Sequence, residues 1–284
     1  MDIMKRTVAV ILFAVIPLMA FSQAQITTKK EKLKDFPYKI TKVVLKGNAF
    51  KDQAIKEAVK NSWTISAFEF CDMKDFNAMK TNPELYFLLL SDIRQKKESR
   101  PGISVFTLVK GEPGVKDLND MLEVASIPVS AADVPSGKEI AVMPALLDIM
   151  QEYVDKSLSS RFSGIGSVKG KLSSTADFRL IFDKEDLSPQ IDDKYISEKF
   201  DKKMLLGEED DIVEAMIYGS DDTAVGYVVA PAEPEPGSLC YTMLIDAMTH
   251  ELYYFSKYKV SKNTNKGFLK RDIAKITGPR KSKR

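Results

Sequence analysis

Histidine, cysteine and net charge are scarce in this sequence, and each scarcity argues against a class of function. The 284 residues include one histidine, two cysteines and a formal net charge of only +2. A nearly neutral chain lacks the positive field that nucleic-acid binding requires, so we expect no nucleic-acid partner. One histidine leaves no second imidazole to share a metal, and no Cys-x-x-Cys motif is present. We therefore predict neither a metal site nor another cofactor site.

The two cysteines, Cys71 and Cys240, lie far apart in the sequence. An oxidising compartment outside the cytoplasm would permit a disulfide between them. The alternative is two buried thiols that pack as small apolar side chains. Sequence alone leaves both readings open.

Long apolar runs are also absent, except at the amino terminus. Lys5 and Arg6 precede an apolar run over residues 8–21, and Ser22 and Ala24 then supply the small residues of a cleavage site. This order predicts a secretory signal peptide over residues 1–24, with an uncleaved membrane anchor as the alternative. No later run is long enough to span a bilayer. We expect a periplasmic or otherwise exported protein without a transmembrane segment after cleavage.

What the sequence does contain is an order of elements that occurs twice. In residues 25–115, a β-rich run at 40–45 precedes a helix capped by Asn48. An aromatic strand over residues 63–70 and a hairpin over residues 85–109 complete the first unit.

Residues 201–262 repeat this plan in a shorter form. A strand at 203–207 matches residues 43–47, and a helix over 208–218 and a strand over 224–230 lead into a hairpin over 239–260. The sequence therefore predicts the α/β class, with α+β as the alternative. The architecture is two tandem, weakly repeated strand–helix–strand–hairpin units.

Residues 116–200, between the two units, are predicted to be a helical linker region. Pro144 suits the first position of a helix that ends near Ser159. The glycines of residues 164–170 resemble a phosphate-binding loop, but they lack its spacing and its preceding strand. We interpret that segment as a flexible connection.

The sequence offers few groups that could carry chemistry. His250 lies in the turn of the second hairpin, and we interpret it as a solvated turn residue. Acidic clusters at residues 183–186, 192–193, 208–211 and 221–222 lack the spacing of a calcium loop and fall at loops or helix starts. We interpret them as solvated caps, and we predict no catalytic residue.

Two surfaces are candidates for partner binding. The second hairpin carries four aromatic residues that could form a contact surface, with alternate ones facing the core: Tyr253, Tyr254, Phe255 and Tyr258. The carboxyl-terminal tail, residues 263–284, is strongly basic and could contact an anionic surface through Lys281, Lys283 and Arg284. A solvated tail that only aids solubility is the alternative.

The second unit resembles the α/β domains of bacterial envelope proteins of the CsgG and TolB amino-terminal type. The resemblance rests on Asp-Thr-Ala-Val-Gly-Tyr-Val-Val at residues 222–229 and on Met-Leu-Ile-Asp-Ala-Met-Thr-His-Glu-Leu-Tyr-Tyr at residues 243–254. His250 stands where those domains usually have a turn glycine, and the lipid-anchoring cysteine of the CsgG relatives is missing. The resemblance implies a non-catalytic module for assembly or partner binding.

These observations predict an exported, non-catalytic envelope protein that binds an envelope partner or assembles with itself. The alternative is an exported hydrolase or ligand-binding enzyme whose carboxylates are brought together only by the fold. A deep pocket lined by two or more converging carboxylates with an ordered metal or sugar would contradict the binding hypothesis. The lack of a concave acidic site, together with an exposed apolar patch on the hairpin, would contradict the enzyme hypothesis.

Overall fold

The computed structural model describes residues 33–95, 98–134, 136–159, 164–200 and 203–278. Helices and strands alternate through these ranges, as the sequence predicts for an α/β protein. The described helices are α1 (Ala49–Ser62), α2 (Met73–Met79), α3 (Lys138–Ser159), α4 (Asp193–Lys199), α5 (Glu209–Tyr218) and α6 (Lys270–Ile276).

The described strands form two five-stranded mixed sheets. Sheet A consists of β1 (Ile40–Leu45), β2 (Ala67–Asp72), β3 (Leu85–Ile93), β4 (Ile103–Lys110) and β5 (Leu122–Ala131). Sheet B consists of β6 (Arg179–Asp183), β7 (Met204–Gly207), β8 (Thr223–Val229), β9 (Leu239–Asp246) and β10 (Leu252–Lys259).

The two sheets have the same strand order. Sheet A runs β2-β1-β3-β4-β5, with β1 parallel to β2 and β3 and the remaining pairs antiparallel. Sheet B runs β7-β6-β8-β9-β10 with the same directions. The expected match of residues 203–207 with residues 43–47 is nevertheless not confirmed. Residues 203–207 contain β7, which is an edge strand of sheet B, whereas residues 43–47 contain the end of β1, which lies inside sheet A. The strand of sheet B that corresponds to β1 is β6.

The middle of the chain differs from the expected helical linker, because residues 116–200 contribute a strand to each sheet. Strand β5 tolerates Pro128 because it is an edge strand, where a missing N–H costs no ladder bond. The register of β5 against β4 also shifts beside Pro128. Helix α3 begins at Lys138, so Pro144 lies inside the helix rather than at its first position.

Helix α1 follows from its local sequence. Asn48 accepts a hydrogen bond from the backbone N–H of Lys51 at 3.0 Å, as predicted for an N-cap. Asp52, in the first turn, accepts from the N–H groups of Lys46 and Gly47 at 3.1 and 2.8 Å. These bonds fix the exit of the chain from β1, where Gly47 has a φ of +86°.

One apolar core joins both sheets. It takes side chains from α1, α3 and α5 and from the facing sides of sheets A and B. Helix α3 contacts α1 on one side and α5 on the other, and Leu146 and Leu147 are fully buried there. Burying one leucine contributes about 1.5–3 kcal/mol. The opposite face of sheet A packs on α2, and that of sheet B packs on α4 and α6.

The sequence predicts no transmembrane segment after cleavage of the signal peptide, and the helices of the structure bear on that prediction. Among the described residues, no helix is both long enough and apolar enough to cross a bilayer.

Candidate functional site

The aromatic residues of the second hairpin are largely buried, so they do not form the exposed contact surface expected from the sequence. Tyr253 and Tyr254 are both only 5% exposed. The hydroxyl of Tyr253 donates to Asp246 at 3.1 Å, and the hydroxyl of Tyr254 donates to Asp272 at 2.8 Å. Burial and the neighbouring carboxylate hold the pKa of each phenol above its ordinary value.

The other two aromatic residues also serve the fold. The hydroxyl of Tyr258 donates to the backbone carbonyls of Asn265 and Gly267, which ties the chain after β10 to that strand. The ring of Phe255 lies against Gly166, where a Cβ would be only 2.8 Å from the ring. The glycine segment over residues 164–170 therefore packs on β10, in contrast to the expected flexible connection.

Cys71 and Cys240 do not form the disulfide that the compartment would permit. Both are free and buried, and they belong to different apolar clusters, on the outer face of sheet A and in sheet B. Burial raises the pKa of the Cys71 thiol to about 11. This outcome agrees with the alternative reading of two small apolar side chains.

Two predictions fall outside the described residues. The signal peptide, residues 1–24, and the basic residues Lys281, Lys283 and Arg284 all lie there.

His250 is a bridging residue rather than a solvated turn residue. Its φ is +61°, and its Nδ1 lies 2.6 Å from Oδ2 of Asp148 on α3. The side chain of Gln151, one turn further along α3, donates to the other oxygen of Asp148 at 3.1 Å. The same Gln151 accepts from the backbone N–H groups of Thr64 and Ile65 at 2.6 and 3.1 Å. This network connects the second hairpin to the end of α1.

A cleft of about 580 Å³ opens between the two halves. It lies at the carboxyl ends of β6 and β8, beside the end of β5 and the first turns of α3 and α5. In α/β sheets, a crevice outside the carboxyl ends of parallel strands is the usual place for a ligand. The charged and phenolic residues of its lining are Lys138, Glu139, Asp183, Lys184, Glu185, Asp186, Glu208, Glu209, Tyr227 and Lys266.

A buried ion cluster forms the floor of this cleft. Nζ of Lys138, in the first turn of α3, lies 2.6 Å from Oδ2 of Asp183 and 2.8 Å from Oδ2 of Asp186. Burial alone would lower the pKa of Lys138, but Asp186 and Asp183 outweigh it and raise that pKa above its ordinary value. Burial raises the pKa of Asp186 to about 6 despite the nearby lysine. The cluster joins α3 to the turn that follows β6.

Tyr227 and two glutamates form the wall above this floor. The Tyr227 hydroxyl donates to the backbone carbonyl of Val129 at the end of β5. Burial, followed by the negative charges of Glu139, Asp186 and Glu209, holds the pKa of Tyr227 well above its ordinary value. These groups therefore converge on one volume, whose lining carries six carboxylates and three lysines.

The acidic clusters that we interpreted as solvated caps differ in their burial. Asp183 does cap, because it accepts from the N–H of Glu185 at 2.9 Å, but it is also buried against Lys138. Asp211 accepts from the N–H of Glu208 at 2.8 Å and is exposed, as a cap should be. Lys138 is 45 residues away from Asp183 along the chain, so no local sequence pattern predicts this contact.

The carboxylates and lysines that line the cleft can recognise charged groups. Within the described ranges, no group of three or more His, Cys, Asp or Glu residues is arranged to hold a metal ion. No family model, characterised protein or solved structure matches this chain.

Proposed function

We propose that this protein is an exported, non-catalytic α/β protein of the cell envelope that binds its partner in the cleft between sheets A and B. The single observation that supports this proposal is the cleft itself, with a buried ion cluster at its floor and further carboxylates in its lining. Export is proposed from the amino-terminal sequence alone, residues 1–24.

The location of the cleft supports binding because its walls come from rigid elements. Strands β5, β6 and β8 and helices α3 and α5 supply most of its lining. A site on helices and strands keeps its shape before the partner arrives, so less conformational entropy is lost on association.

The arrangement of the floor favours binding over catalysis. Nζ of Lys138 lies between the carboxylates of Asp183 and Asp186, within hydrogen-bonding distance of both. A substrate atom would have to displace this ammonium group to reach both carboxylates at once. Removing the counter-ion of a buried carboxylate costs several kcal/mol, about 3–5 for one pair.

The alternative, an exported hydrolase, has one specific observation in its favour. Burial raises the pKa of Asp186 to about 6, which is closer to neutral pH than that of an ordinary carboxyl group and therefore better suited to a general acid. Hydrolysis of glycoside and ester substrates by the wild-type protein, abolished in Asp186→Asn, would support this alternative. Equal background rates for both proteins would remove it.

Partner capture with cleft variants tests the binding proposal. The chain from residue 25 onward would be immobilised and exposed to envelope extract of its source cells, with bound proteins and small molecules quantified by mass spectrometry. The variant Glu185→Gln/Glu208→Gln removes two rim charges, because both side chains line the cleft and are exposed. We expect it to capture at least about tenfold less of the specific partner than the wild type, through lost charge complementarity.

The matched control is Glu198→Gln, an exposed glutamate on α4, which covers the opposite face of sheet B. It should capture the partner as the wild type does. Equal capture by all three proteins would place the binding surface elsewhere and contradict the proposal. Capture of a second copy of this chain would identify the partner as itself, provided that the rim variant abolishes it.

A further inference from the structure

An apolar pocket opens beside the charged cleft. It lies between the first turns of α1 and α3 and the strands β3 and β5, and it has a volume of about 40 Å³. Its lining is mostly apolar and comes from Phe50, Ala54, Leu90, Val129, Ile140 and Met143, with Lys51, Ser130 and Glu139 as the polar members. A space of this size holds an apolar group of a few carbon atoms rather than a fused ring system.

The pocket and the cleft adjoin each other. Ser130 and Glu139 line both, so these two residues mark the place where the two cavities meet. A large apolar side chain is exposed at each opening: Phe50, at the pocket, is 71% exposed, and Val134, at the cleft, is 61% exposed. Apolar side chains that line a concave opening are typical of a surface that is covered in the bound state.

Two carboxylates lie where the pocket meets the cleft. Oε2 of Glu139 accepts from the backbone N–H of Gly137 at 2.8 Å. Oε1 of Glu209 is also beside Gly137, because a Cβ built on that glycine would lie 3.3 Å from it. Lys138 is engaged by Asp183 and Asp186 on the floor and does not pair with either glutamate. Among the described side chains, none forms an ion pair with the Glu209 carboxylate.

We propose that the joined cavities bind a cation carried on a short apolar group. The ammonium or guanidinium group lies against Glu139 and Glu209, and the attached carbon atoms occupy the pocket beside Phe50. Charge complementarity at the junction selects the cation, and the apolar lining selects the carbon atoms attached to it. This inference rests on the proposed function, since it names the chemistry that the cleft recognises.

Titration of the chain from residue 25 onward with simple amines tests the ligand class. The probe is n-hexylammonium, compared by isothermal titration calorimetry and by NMR shifts with hexan-1-ol, hexanoate and methylammonium. We expect hexylammonium to bind at least about tenfold more tightly than each of the other three probes. Its affinity should fall as salt is added, because the contact is ionic.

Two variants with matched controls locate the site. Glu209→Gln should weaken hexylammonium binding by about five- to tenfold, and Glu214→Gln, an exposed position on the same helix, should leave it unchanged. Phe50→Ala should weaken it by at least about threefold through lost apolar contact. Tyr38→Ala, at another highly exposed aromatic residue, should not. All four positions are at least partly exposed, and circular dichroism would check that each variant folds.

A second arm separates the two sources of such a cation. An N-acetylated, C-amidated Gly-Leu-Arg-Gly peptide carries the same chemistry on a chain, and tighter binding of it than of hexylammonium would assign the site to a basic peptide segment. The reverse order would assign it to a small amine. Equal binding of hexan-1-ol and hexylammonium, or no effect of Glu209→Gln, would overturn the inference. If capture from the envelope still depended on Glu185 and Glu208, the proposed function would survive that failure.

Discussion

Replacing Lys138 with methionine tests whether the buried ion cluster holds the two halves of the molecule together. Methionine keeps most of the length of the side chain and removes only the charge. In the wild type, the side chains of Lys138, Asp183 and Asp186 are only 8%, 4% and 10% exposed, so water screens their attraction little. After the substitution, two buried carboxylates would lack a counter-ion.

The structure sets the expected size of this effect. Removing one member of a buried ion pair costs about 3–5 kcal/mol, because the remaining charge stays desolvated. For a chain of this size, that loss lowers the melting temperature by roughly 6–20 °C. The matched control is Lys156→Met on the same helix. Lys156 pairs with Glu152 at an exposed i,i+4 position, and its loss should cost about 0.3–0.5 kcal/mol.

Urea unfolding followed by circular dichroism, at several pH values, provides the assay. In Lys138→Met, the loss should be largest near pH 8 and smaller near about pH 5, because a protonated carboxyl group needs no counter-ion. Adding Asp186→Asn to Lys138→Met should restore part of the stability, since one buried charge is then removed. A loss below about 1 kcal/mol at pH 8, or one that does not vary with pH, would refute the reasoning.

Three further predictions follow from single side chains. First, burial raises the pKa of Asp186 in the folded protein from 3.8 to about 6. The protonated carboxyl group therefore stabilises the wild type below pH 3.8, and this contribution is lost as the pH rises to about 6. The urea midpoint of Asp186→Asn relative to the wild type should therefore rise across that window, and a constant difference would contradict the assignment. Second, Gln151→Ala should cost about 2–4 kcal/mol in urea unfolding, because two N–H groups and the carbonyl of Ser62 lose their partner. Third, Gly226→Ala should cost about 1–3 kcal/mol, because the new Cβ would lie 2.5 Å from the ring of Phe182. An unchanged melting temperature in Gly226→Ala would show that the ring can move aside.

Local signals in the sequence predicted much of the fold. Asn48 was expected to cap α1, and it does so through the N–H of Lys51. The structure has a second cap of this kind at Asp72, whose carboxylate accepts from the N–H of Asp75 at the start of α2 at 2.8 Å. Such caps are predictable because they are decided within four residues of the helix start. The predicted strands at 40–45 and 224–230 and the hairpin at 239–260 lie close to β1, β8 and β9–β10.

The two strands missed in the middle lack such signals. Strand β6 has five residues, Arg179–Asp183, too few to show a period of two against its acidic surroundings. Strand β5 contains Pro128, which argues against a strand unless the strand is known to lie at an edge. Edge position is a property of the finished sheet, so the local sequence does not reveal it.

The cleft could not be predicted for a related reason. Its floor joins Lys138 to Asp183 and Asp186, which are 45 and 48 residues away. Each acidic residue, taken alone, resembles an ordinary cap. Asp183 and Asp186 become buried partners of one lysine only because the fold brings the first turn of α3 to the end of β6.

The shared core has a consequence for how the chain can be divided. The two sheets have the same strand order, but they share the helices that cover their inner faces. Helix α3 packs between α1 and α5 in one core. A fragment that ended before α3 would leave the inner side of sheet A open to water, and a fragment that began after α3 would do the same to sheet B. We therefore expect the two halves to fold and unfold as one cooperative unit, and we expect the smallest fragment that folds alone to include both sheets.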